Sequence, residues 1–466
     1  MKRRDFLKST GAVAGATVLS GMTVARGAQA AGDDLIKIAL VGCGGRGRGA
    51  VQDRLAASNL LKKEGYGDNI KIVAIADAFE GNAKSAKEAF EATEDDRFDI
   101  GDRVFWGFGA YKKAIDECDS VIIATAPGFR PVHFSYAVEK GKHVFMEKPC
   151  AVDARGYRMA IEACKKADEK GLKIVTGYQR HYQKEYVTFV EQLKEGKMGE
   201  LMYSRVYWNG DGIWERGRQQ GDTEMAYQMR NWYHFNWLCG DNIIEQHCHN
   251  IDVANWVHSL GDPQGKNAHP IRCNAMGGRE VRKFPRFKNS GHRFDHFTCE
   301  FTFADGSQMF SQCRHQANCW NNVSETFYGT QGMGGPGWIN DRAGKEVWRN
   351  QGGYALGPYQ WEHYMHAKFI REDIANNDAW YSAHSSMTSV LGRMAAYSGK
   401  EISWDDAVAK GRDEFPYDLF ASMEDDDIWK ADPPVTPDTV PPVLPKEGEV
   451  LYENSVPVPG EWKWDA

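Results

Sequence analysis

The fold is decided by residues 38–49, IALVGCGGRGRG, in which an apolar run opens into closely spaced glycines. The apolar run predicts a buried strand, and residues 48–61 predict a helix directly after the glycines. A Gly-x-Gly-x-x-Gly sequence between a strand and a helix is typical of a dinucleotide site, where a pyrophosphate lies against the helix N-terminus. The first glycine allows the tight turn, the second admits the phosphates, and the third lets the helix pack on the strand. The expected phosphate contacts are Gly42, Gly44, Gly45, Arg46 and Gly47.

Strands and helices alternate along the next part of the chain. The predicted strands are residues 36–41, 71–76, 104–105, 120–125, 143–146 and 172–176. The predicted helices are residues 48–61, 82–90, 132–140 and 154–170. This alternation predicts an α/β fold, a doubly wound parallel sheet of the Rossmann type that ends near residue 178.

Asp77 directly follows the second predicted strand. A carboxylate at this place hydrogen-bonds the adenosine ribose hydroxyls of a dinucleotide and repels a 2′-phosphate. The sequence therefore favours NAD over NADP, although Arg46 and Arg48 would weaken that preference.

The pattern changes after residue 200. Residues 201–208 and 297–303 alternate as half-exposed strands do, and residues 307–313 follow an Asp-Gly turn as a hairpin partner. Predicted helices at residues 242–260, 367–376 and 385–398 interrupt them. We expect a C-terminal α+β domain with an open, mostly antiparallel sheet. The expected division is a leader at 1–30, a NAD(P)-binding domain at 33–178, a substrate and oligomerisation domain at 179–432 and a proline-rich arm at 433–466.

The first residues, MKRRDFLKS, carry paired arginines at Arg3 and Arg4. A short apolar stretch at 11–24 and the small-residue sequence at 28–30 complete a twin-arginine export signal with a cleavage site. This pathway exports folded proteins, so we expect a periplasmic enzyme that meets the twin-arginine export machinery with its cofactor already bound. The ten cysteines form no Cys-x-x-Cys pair, which favours free, buried thiols.

Composition excludes several classes of function. The net charge of −7 and the absence of a basic stripe argue against nucleic-acid binding. Beyond the leader, no apolar run reaches the roughly 18 residues that a membrane span needs, so stable membrane insertion is not expected.

Residues 143–149, HVFMEKP, are the second informative motif. Together with the glycine turn and the stretch from Thr125-Ala126-Pro127 to His133, they make the first 180 residues resemble the Gfo/Idh/MocA oxidoreductases. The resemblance implies that Lys148 lies beside the nicotinamide and contacts the substrate hydroxyl. The further cofactor contacts that it implies are Thr125, Pro127, His133, Glu147 and Lys148 itself.

In that family an active-site helix usually carries an Asp and a His four residues apart, and here residues 245–249 read EQHCH. The spacing would place Glu245 and His249 on one helix face. His249 suits a base of near-neutral pKa that takes the hydroxyl proton, Lys148 would stabilise the alkoxide, and Glu245 would orient the substrate or the imidazole. Glu245 is one methylene longer than the family's Asp, which changes the pocket.

His247 lies about 200° around the helix from His249. This favours a core or supporting histidine over a metal site with Glu245 and His249, and hydride chemistry needs no metal. Five residues are candidate substrate contacts: Arg180, Tyr182, Arg230, Trp232 and His384. For Arg180 and Tyr182, an ordinary interdomain hinge is an equal interpretation.

Export implies a tightly bound cofactor that is recycled within the site, because free NAD is scarce outside the cytoplasm. We expect hydride transfer from a secondary alcohol of a carbohydrate or cyclitol. The alternative is an NAD-dependent glycoside hydrolase that works by transient oxidation, elimination, water addition and re-reduction. A third hypothesis is a non-catalytic binding protein of the same fold. The resemblance also implies a homo-oligomer formed through the open faces of the second-domain sheet.

Overall fold

The computed structural model describes residues 34–260, 262, 265–279, 291–352, 357–422, 425–436 and 455–465. The predicted leader at 1–30 lies outside these residues. Among the residues described, no helix is long and apolar enough to cross a membrane. All ten cysteines are free, nine of them buried and Cys319 exposed, which confirms the prediction from their spacing.

The N-terminal domain is a six-stranded parallel sheet in the order β3-β2-β1-β4-β5-β6. Its strands are β1 (Ile36–Val41), β2 (Ile70–Asp77), β3 (Val104–Trp106), β4 (Ser120–Ile123), β5 (His143–Met146) and β6 (Ile174–Thr176). Its helices are α1 (Gly45–Lys63), α2 (Glu80–Glu91), α3 (Ala110–Asp116), α4 (Arg130–Glu139) and α5 (Ala154–Glu169). The Rossmann prediction is confirmed.

The central strands are mostly apolar because helices cover both faces of the sheet. Every residue of β4 and β5 is buried. Strand order reverses between β1 and β4, and a crevice opens at the carboxyl ends of strands at such a switch point. The glycine turn follows β1 and therefore lies at this crevice.

The C-terminal domain is built on a nine-stranded sheet in the order β14-β13-β12-β11-β7-β10-β9-β8-β15. Its strands are β7 (Leu201–Gly210), β8 (Arg272–Gly278), β9 (His296–Thr302), β10 (Gln308–His315), β11 (Asn322–Gly329), β12 (Gly332–Gly335), β13 (Trp338–Asp341), β14 (Glu346–Arg349) and β15 (Ile402–Ser403). Neighbouring strands are antiparallel except β7 and β10, which are parallel. The expected α+β layout with an open, mostly antiparallel sheet is confirmed.

Helices cover one face of this sheet and fill the space between the domains. They are α6 (Lys184–Lys194), α7 (Glu224–Arg230), α8 (Asn236–Cys239), α9 (Asn242–Glu245), α10 (Cys248–His258), α11 (Pro358–Arg371), α12 (Ala379–Ser398), α13 (Trp404–Lys410), α14 (Tyr417–Ser422) and α15 (Asp425–Ile428). The single helix predicted at 242–260 is wrong: the chain forms α9 and α10 with a break at Gln246 and His247.

The two domains share parts of their cores. Phe369 and Ile370 of α11 pack into the core formed by α1 and the first-domain strands. Asn377 forms an isolated parallel bridge with Ile174, beside the edge strand β6. The boundary predicted at residue 178 therefore divides the two sheets. Helix α11, from later in the chain, packs on the first domain.

The described end of the proline-rich arm, residues 455–465, lies on the second domain. Gly460 donates its backbone N–H to the carbonyl of Ser398 at 2.9 Å, and Arg412 donates to the carbonyl of Trp464 at 2.9 Å. Trp462 and Trp464 also pack against the apolar core. This part of the arm is thus held by its own chain.

Candidate active site and dinucleotide cleft

The glycine turn has the geometry that a bound pyrophosphate requires. Gly42 has a φ of +100°, and a Cβ there would lie 2.6 Å from the carbonyl carbon of Ala124. A Cβ at Gly47 would lie 1.9 Å from the oxygen of Gly42. By contrast, a Cβ at Gly44 or Gly45 would meet nothing within 4 Å. Gly42 and Gly47 are therefore required by close packing. The open space beside Gly44 and Gly45, at the N-terminus of α1, fits phosphates.

Asp77 holds this turn in place from the end of β2. One carboxylate oxygen accepts from the backbone N–H of Cys43 at 2.8 Å. The other accepts from the N–H of Phe79 at 2.9 Å and from Asn82 Nδ2 at 3.1 Å. Burial raises the pKa of Asp77 above its usual value in spite of these hydrogen bonds. Contact with a ribose stays a prediction.

Arg46 is bound by protein carboxylates. Its Nε lies 2.6 Å from Glu147 Oε1 and its Nη2 lies 3.0 Å from Asp53 Oδ2. Its guanidinium also lies 4.8 Å from the ring centroid of Tyr359. Arg46 and Glu147, both predicted as cofactor contacts, thus form an ion pair with each other. Their contact with a cofactor stays a prediction.

The loop after β4 carries three more predicted cofactor contacts. Thr125 Oγ1 lies 3.2 Å from His133 Nδ1, and Pro127 begins a single 3-10 turn. Burial, together with the charge of Arg130, lowers the pKa of His133 to about 3. Arg130 was not predicted, yet it donates to the carbonyls of Thr125 at 2.9 Å and Pro149 at 2.7 Å. It thereby joins the loop after β4 to the Glu-Lys-Pro loop.

Lys148 reaches across the crevice to the end of α9. Its Nζ donates to the backbone carbonyl of Glu245 at 2.5 Å and lies 3.3 Å from Glu245 Oε1. Burial is the largest influence on the pKa of Lys148 and acts to lower it, but Glu245, Cys248 and Glu147 together outweigh burial, so the pKa is raised. The lysine is therefore a buried ammonium. Glu245 Oε2 is buried and has no hydrogen-bond partner among the residues described.

His249 lies beside this ion pair in an aromatic setting. Its ring stacks on Trp208 at 5.9 Å and meets the edge of Tyr178 at 5.8 Å. Burial, and then the charges of Lys148 and Arg180, lower the pKa of His249 well below its usual value. Nδ1 has no hydrogen-bond partner in the part of the chain that the structure describes. The sequence predicted a near-neutral pKa for His249. In the structure the pKa is lower than that, and the buried imidazole is neutral.

The break between α9 and α10 explains how these groups meet. His249 donates its backbone N–H to the carbonyl of Gln246 at 3.3 Å instead of to that of Glu245, which leaves the Glu245 carbonyl for Lys148. The expected shared face of one helix is therefore wrong, although both side chains still lie near the lysine. His247 points to the sheet, where Nε2 lies 2.7 Å from Ser311 Oγ, as expected of a core histidine.

The predicted substrate contacts divide into one close to His249 and four with partners elsewhere. Arg180 pairs with Glu325 of β11 and contributes to the lowered pKa of His249. The other four contact these groups: Tyr182 donates to Asp378 at 2.6 Å, Arg230 pairs with Asp222, Trp232 meets Trp214 edge-on, and His384 donates from Nδ1 to the carbonyl of Trp380 at 2.7 Å.

His384 fits the cleft least of these candidates. It lies beside the rings of Tyr157, His269 and Trp404, on the side of α12 that faces α5 and α13. Its hydrogen bond and its ring contacts are all with those residues and Trp380, so it packs between helices away from Lys148. His384 directly precedes the helix predicted at 385–398, and this position does not predict which way its side chain faces.

The residues that sequence reasoning missed are mainly buried partners of the predicted ones. They are Tyr178, Trp208, Glu325 and Arg130. Only Tyr178, two residues before the predicted Arg180, carried a positional signal. Within the described ranges, no group of three or more His, Cys, Asp or Glu side chains is arranged to hold a metal ion.

Comparison with known proteins agrees with this geometry. Residues 36–178 match the Gfo/Idh/MocA model, described as an oxidoreductase family with an NAD-binding Rossmann fold. The match covers the Rossmann domain and agrees with the resemblance seen in its motifs. Residues 1–20 match the model of the twin-arginine translocation signal, which confirms the interpretation of the leader.

The chain is also similar to several dehydrogenases. It is 28% identical over 202 residues to inositol 2-dehydrogenase of Salmonella typhimurium, which covers 42% of this chain and 54% of that protein. It is 29% identical over 155 residues to scyllo-inositol 2-dehydrogenase (NADP(+)) of Bacillus subtilis, covering 32% of this chain and 40% of that protein. The matches thus span about half the length of these relatives.

Solved structures resemble most of the chain in fold. Levoglucosan dehydrogenase in complex with NADH and levoglucosan matches with a TM-score of 0.60 at 16% identity, over 79% of this chain and 99% of that one. Aldose-aldose oxidoreductase from Caulobacter crescentus matches with a TM-score of 0.57 at 17% identity, over 79% of this chain and 100% of that one. These likenesses show that both domains share the fold.

Proposed function

We propose that the chain is a periplasmic, nicotinamide-dependent oxidoreductase that oxidises a secondary alcohol of a carbohydrate or cyclitol. The observation that carries the proposal is the buried ammonium of Lys148, held 2.5 Å from the Glu245 carbonyl at the carboxyl end of the Rossmann sheet. The twin-arginine signal supports export, and the inositol dehydrogenases among the relatives support the substrate class.

The side chains around Lys148 divide the work of alcohol oxidation. The Lys148 ammonium donates to the substrate oxygen and stabilises the negative charge that develops when its proton leaves. Glu245 Oε2, which has no hydrogen-bond partner among the residues described, accepts from a second hydroxyl of the substrate and so orients it. His249 is the proposed proton acceptor because burial keeps its imidazole neutral, although the same burial makes it a weak base. The nicotinamide, when bound, supplies the hydride acceptor.

The glycine turn, Glu147 and Lys148 would hold the cofactor, with Asp77 favouring NAD over NADP. Asp77 supports this preference because a 2′-phosphate would meet a carboxylate that is already fixed by three donors. A tightly held cofactor recycled by a second carbonyl substrate would free the enzyme from a supply of NAD outside the cytoplasm. Thr125, Pro127 and His133 would line the nicotinamide side of the crevice.

The test begins with the nucleotide that the purified protein carries. We expect close to one NAD(H) per chain on denaturation and mass spectrometry, and an absorbance near ~340 nm that a suitable carbonyl compound bleaches. Lys148→Met should keep the nucleotide but slow the bleaching by at least about 100-fold. Lys142→Met should change neither, because this half-buried lysine lies at the opposite end of β5 and donates to the carbonyl of Cys118 at 2.6 Å. Glycoside cleavage without net change in absorbance would support the hydrolase alternative. Protein with no nucleotide and no affinity for added NAD would contradict the proposal.

We also propose a homo-oligomer formed through the uncovered face of the second-domain sheet. Met276 is 74% exposed, Trp320 64% and Phe310 38%, and the Tyr203 ring lies 6.0 Å from that of Phe310. Phe310→Glu should dissociate the oligomer in light scattering, because a charge would be buried in the interface. Trp106→Glu, at a 47% exposed position of the first domain, is the matched control. A wild-type monomer would contradict this assembly.

A further inference from the structure

The switch point between β1 and β4 divides the dinucleotide crevice into two halves. Lys148 follows β5 in one half, and Asp77 ends β2 in the other. A carboxylate at the end of the second strand is the usual partner of the adenosine ribose of a dinucleotide. The adenine base beyond that ribose is therefore expected among the loops that follow β2 and β3.

A cluster of aromatic rings lies in this half of the crevice. Phe79 is two residues after Asp77, Phe108 is two residues after β3, and Phe129 ends the 3-10 turn after β4. The rings of Phe108 and Phe129 stack with their centroids 6.0 Å apart. Because each of the three follows the carboxyl end of a strand, the cluster lies at the crevice edge of the sheet. Phe79 and Phe108 are only half-buried, so apolar surface is open there.

One further ring of this cluster comes from the C-terminal part of the chain. Trp429 directly follows α15, and its ring lies 5.0 Å from that of Phe79 and 4.5 Å from that of Phe108. Trp429 is half-buried, whereas Ile428 beside it is only 1% exposed. The indole thus joins the loops after β2 and β3 and is still partly exposed.

The chain on either side of Trp429 is fastened to the protein without this ring. Before it, the backbone N–H of Phe415 donates to Asp153 Oδ2 at 2.9 Å. After it, Gln228 Nε2 donates to the carbonyl of Val435 at 2.5 Å. The half-exposed indole is therefore not needed to attach this part of the chain, and its place at the crevice calls for another explanation.

We infer that Trp429 is a cofactor-binding residue whose indole packs against the adenosine half of the dinucleotide. Every nucleic-acid base has a flat π-face, and a base gains affinity by stacking on an aromatic side chain. The inference rests on the proposed nicotinamide cofactor and adds a contact in the half that is far from Lys148. Such a contact slows release of the cofactor without touching the reacting atoms, as an exported enzyme that recycles its cofactor requires.

The first test measures how fast the holoenzyme exchanges its nucleotide. The purified mature protein is mixed with isotopically labelled NAD, and the bound nucleotide is followed by mass spectrometry. Trp429→Ala should exchange at least about tenfold faster than the wild type, because the stacking contact is lost. Trp429→Phe keeps an aromatic face and should stay within about threefold of the wild type.

Trp462→Ala is the matched control for the loss of an indole. Trp462 is likewise a half-buried ring from the C-terminal part of the chain. Its neighbours are in the second domain, where its ring lies edge-on to Tyr397 at 5.3 Å and 5.3 Å from the guanidinium of Arg412. This variant should exchange its nucleotide at the wild-type rate. Exchange as fast as in Trp429→Ala would show a general loosening of the chain and would overturn the inference.

Two fragments of the cofactor separate a local contact from such a loosening. ADP-ribose contains the adenosine half, and nicotinamide mononucleotide contains the other half. Displacement of labelled NAD by each fragment gives their dissociation constants. Trp429→Ala should bind ADP-ribose at least about tenfold more weakly and bind nicotinamide mononucleotide as the wild type does. Equal weakening of both fragments, or unchanged affinity for ADP-ribose, overturns the inference.

Failure of this inference is distinguishable from failure of the proposed function. A wild type that binds neither NAD nor ADP-ribose contradicts the proposed oxidoreductase and this inference with it. A wild type that binds both, beside a Trp429→Ala variant with unchanged exchange and affinity, contradicts the inference alone. If Trp429→Ala does not fold, Trp429→Leu takes its place with the same expectations, because leucine keeps apolar bulk but has no aromatic face.

Discussion

Gly47→Ala sets two physical effects of opposite sign against each other. Alanine is favoured over glycine inside a helix by about 0.5–1 kcal/mol, and Gly47 lies in the first turn of α1. However, the new Cβ would lie 1.9 Å from the oxygen of Gly42 and 3.2 Å from Leu40 Cδ1. Ordinary contact begins near 3.4 Å, so α1 would have to move about 1.5 Å away from the turn. Overpacking of this kind costs about 1–3 kcal/mol, and here the obstacle is backbone.

Gly49→Ala is the matched control for this effect. It lies in the same helix, and its Cβ would meet only Arg46 Nη1 at 3.8 Å. The helix preference is common to both variants, so the difference between their free energies of unfolding measures the clash. We expect Gly47→Ala to be less stable than Gly49→Ala by about 1–3 kcal/mol in equilibrium urea unfolding.

The same displacement would disturb the phosphate cradle. Purified Gly47→Ala should therefore contain less nucleotide, with NAD affinity at least about tenfold weaker, while Gly49→Ala keeps the wild-type content. Equal urea midpoints and equal nucleotide content in the two variants would refute the argument, because they would mean that the turn can open at no cost.

Three further outcomes are expected. Glu245→Gln should move the alkaline limit of hydride transfer to lower pH by at least about one unit, since it removes the largest of the influences that raise the pKa of Lys148 against burial; an unchanged pH–rate profile would speak against the ion pair. Burial lowers the pKa of His258 to about 3, so below pH 6.5 the unfolded chain binds a proton that the folded chain does not. The free energy of unfolding should therefore fall as the pH falls below 6.5, by about 1.4 kcal/mol per pH unit for each such histidine. His258→Gln should reduce that slope in urea unfolding at pH 5.5 and 7. Asp77→Asn should reduce the ratio of NADP to NAD dissociation constants measured by fluorescence, and a constant ratio would remove Asp77 from cofactor selection.

The sequence predicted the Rossmann domain well because its signals are local. Strands that are buried on both faces are mostly apolar, and the glycine turn fixes where β1 ends and α1 begins. The second sheet was harder to predict. Its central pair, β7 and β10, is parallel and joins residues about a hundred positions apart, and no periodicity within either strand contains that information.

The candidate site was predictable as far as its motifs extend. Lys148, Glu245 and the glycine turn lie at the same crevice, as the resemblance implied. The substrate contacts were less predictable, because a polar residue near a cleft can bind a protein carboxylate as well as a ligand. Arg180 is paired with Glu325, which lies 145 residues further along the chain, and only the folded sheet brings the two together.

The break between α9 and α10 shows why helix periodicity failed at the catalytic residues themselves. Continuing the helix through Gln246 would use the Glu245 carbonyl for a backbone hydrogen bond worth about 1 kcal/mol. Giving that carbonyl to Lys148 replaces it with a hydrogen bond to a charged donor, worth about 1.5–3 kcal/mol, and partners an ammonium that burial would otherwise destabilise. Since the lysine comes from a different domain, the pattern of residues 242–260 predicts one helix while the folded chain is more stable with two. The interruption and the buried lysine are therefore a single feature, and each is the physical reason for the other.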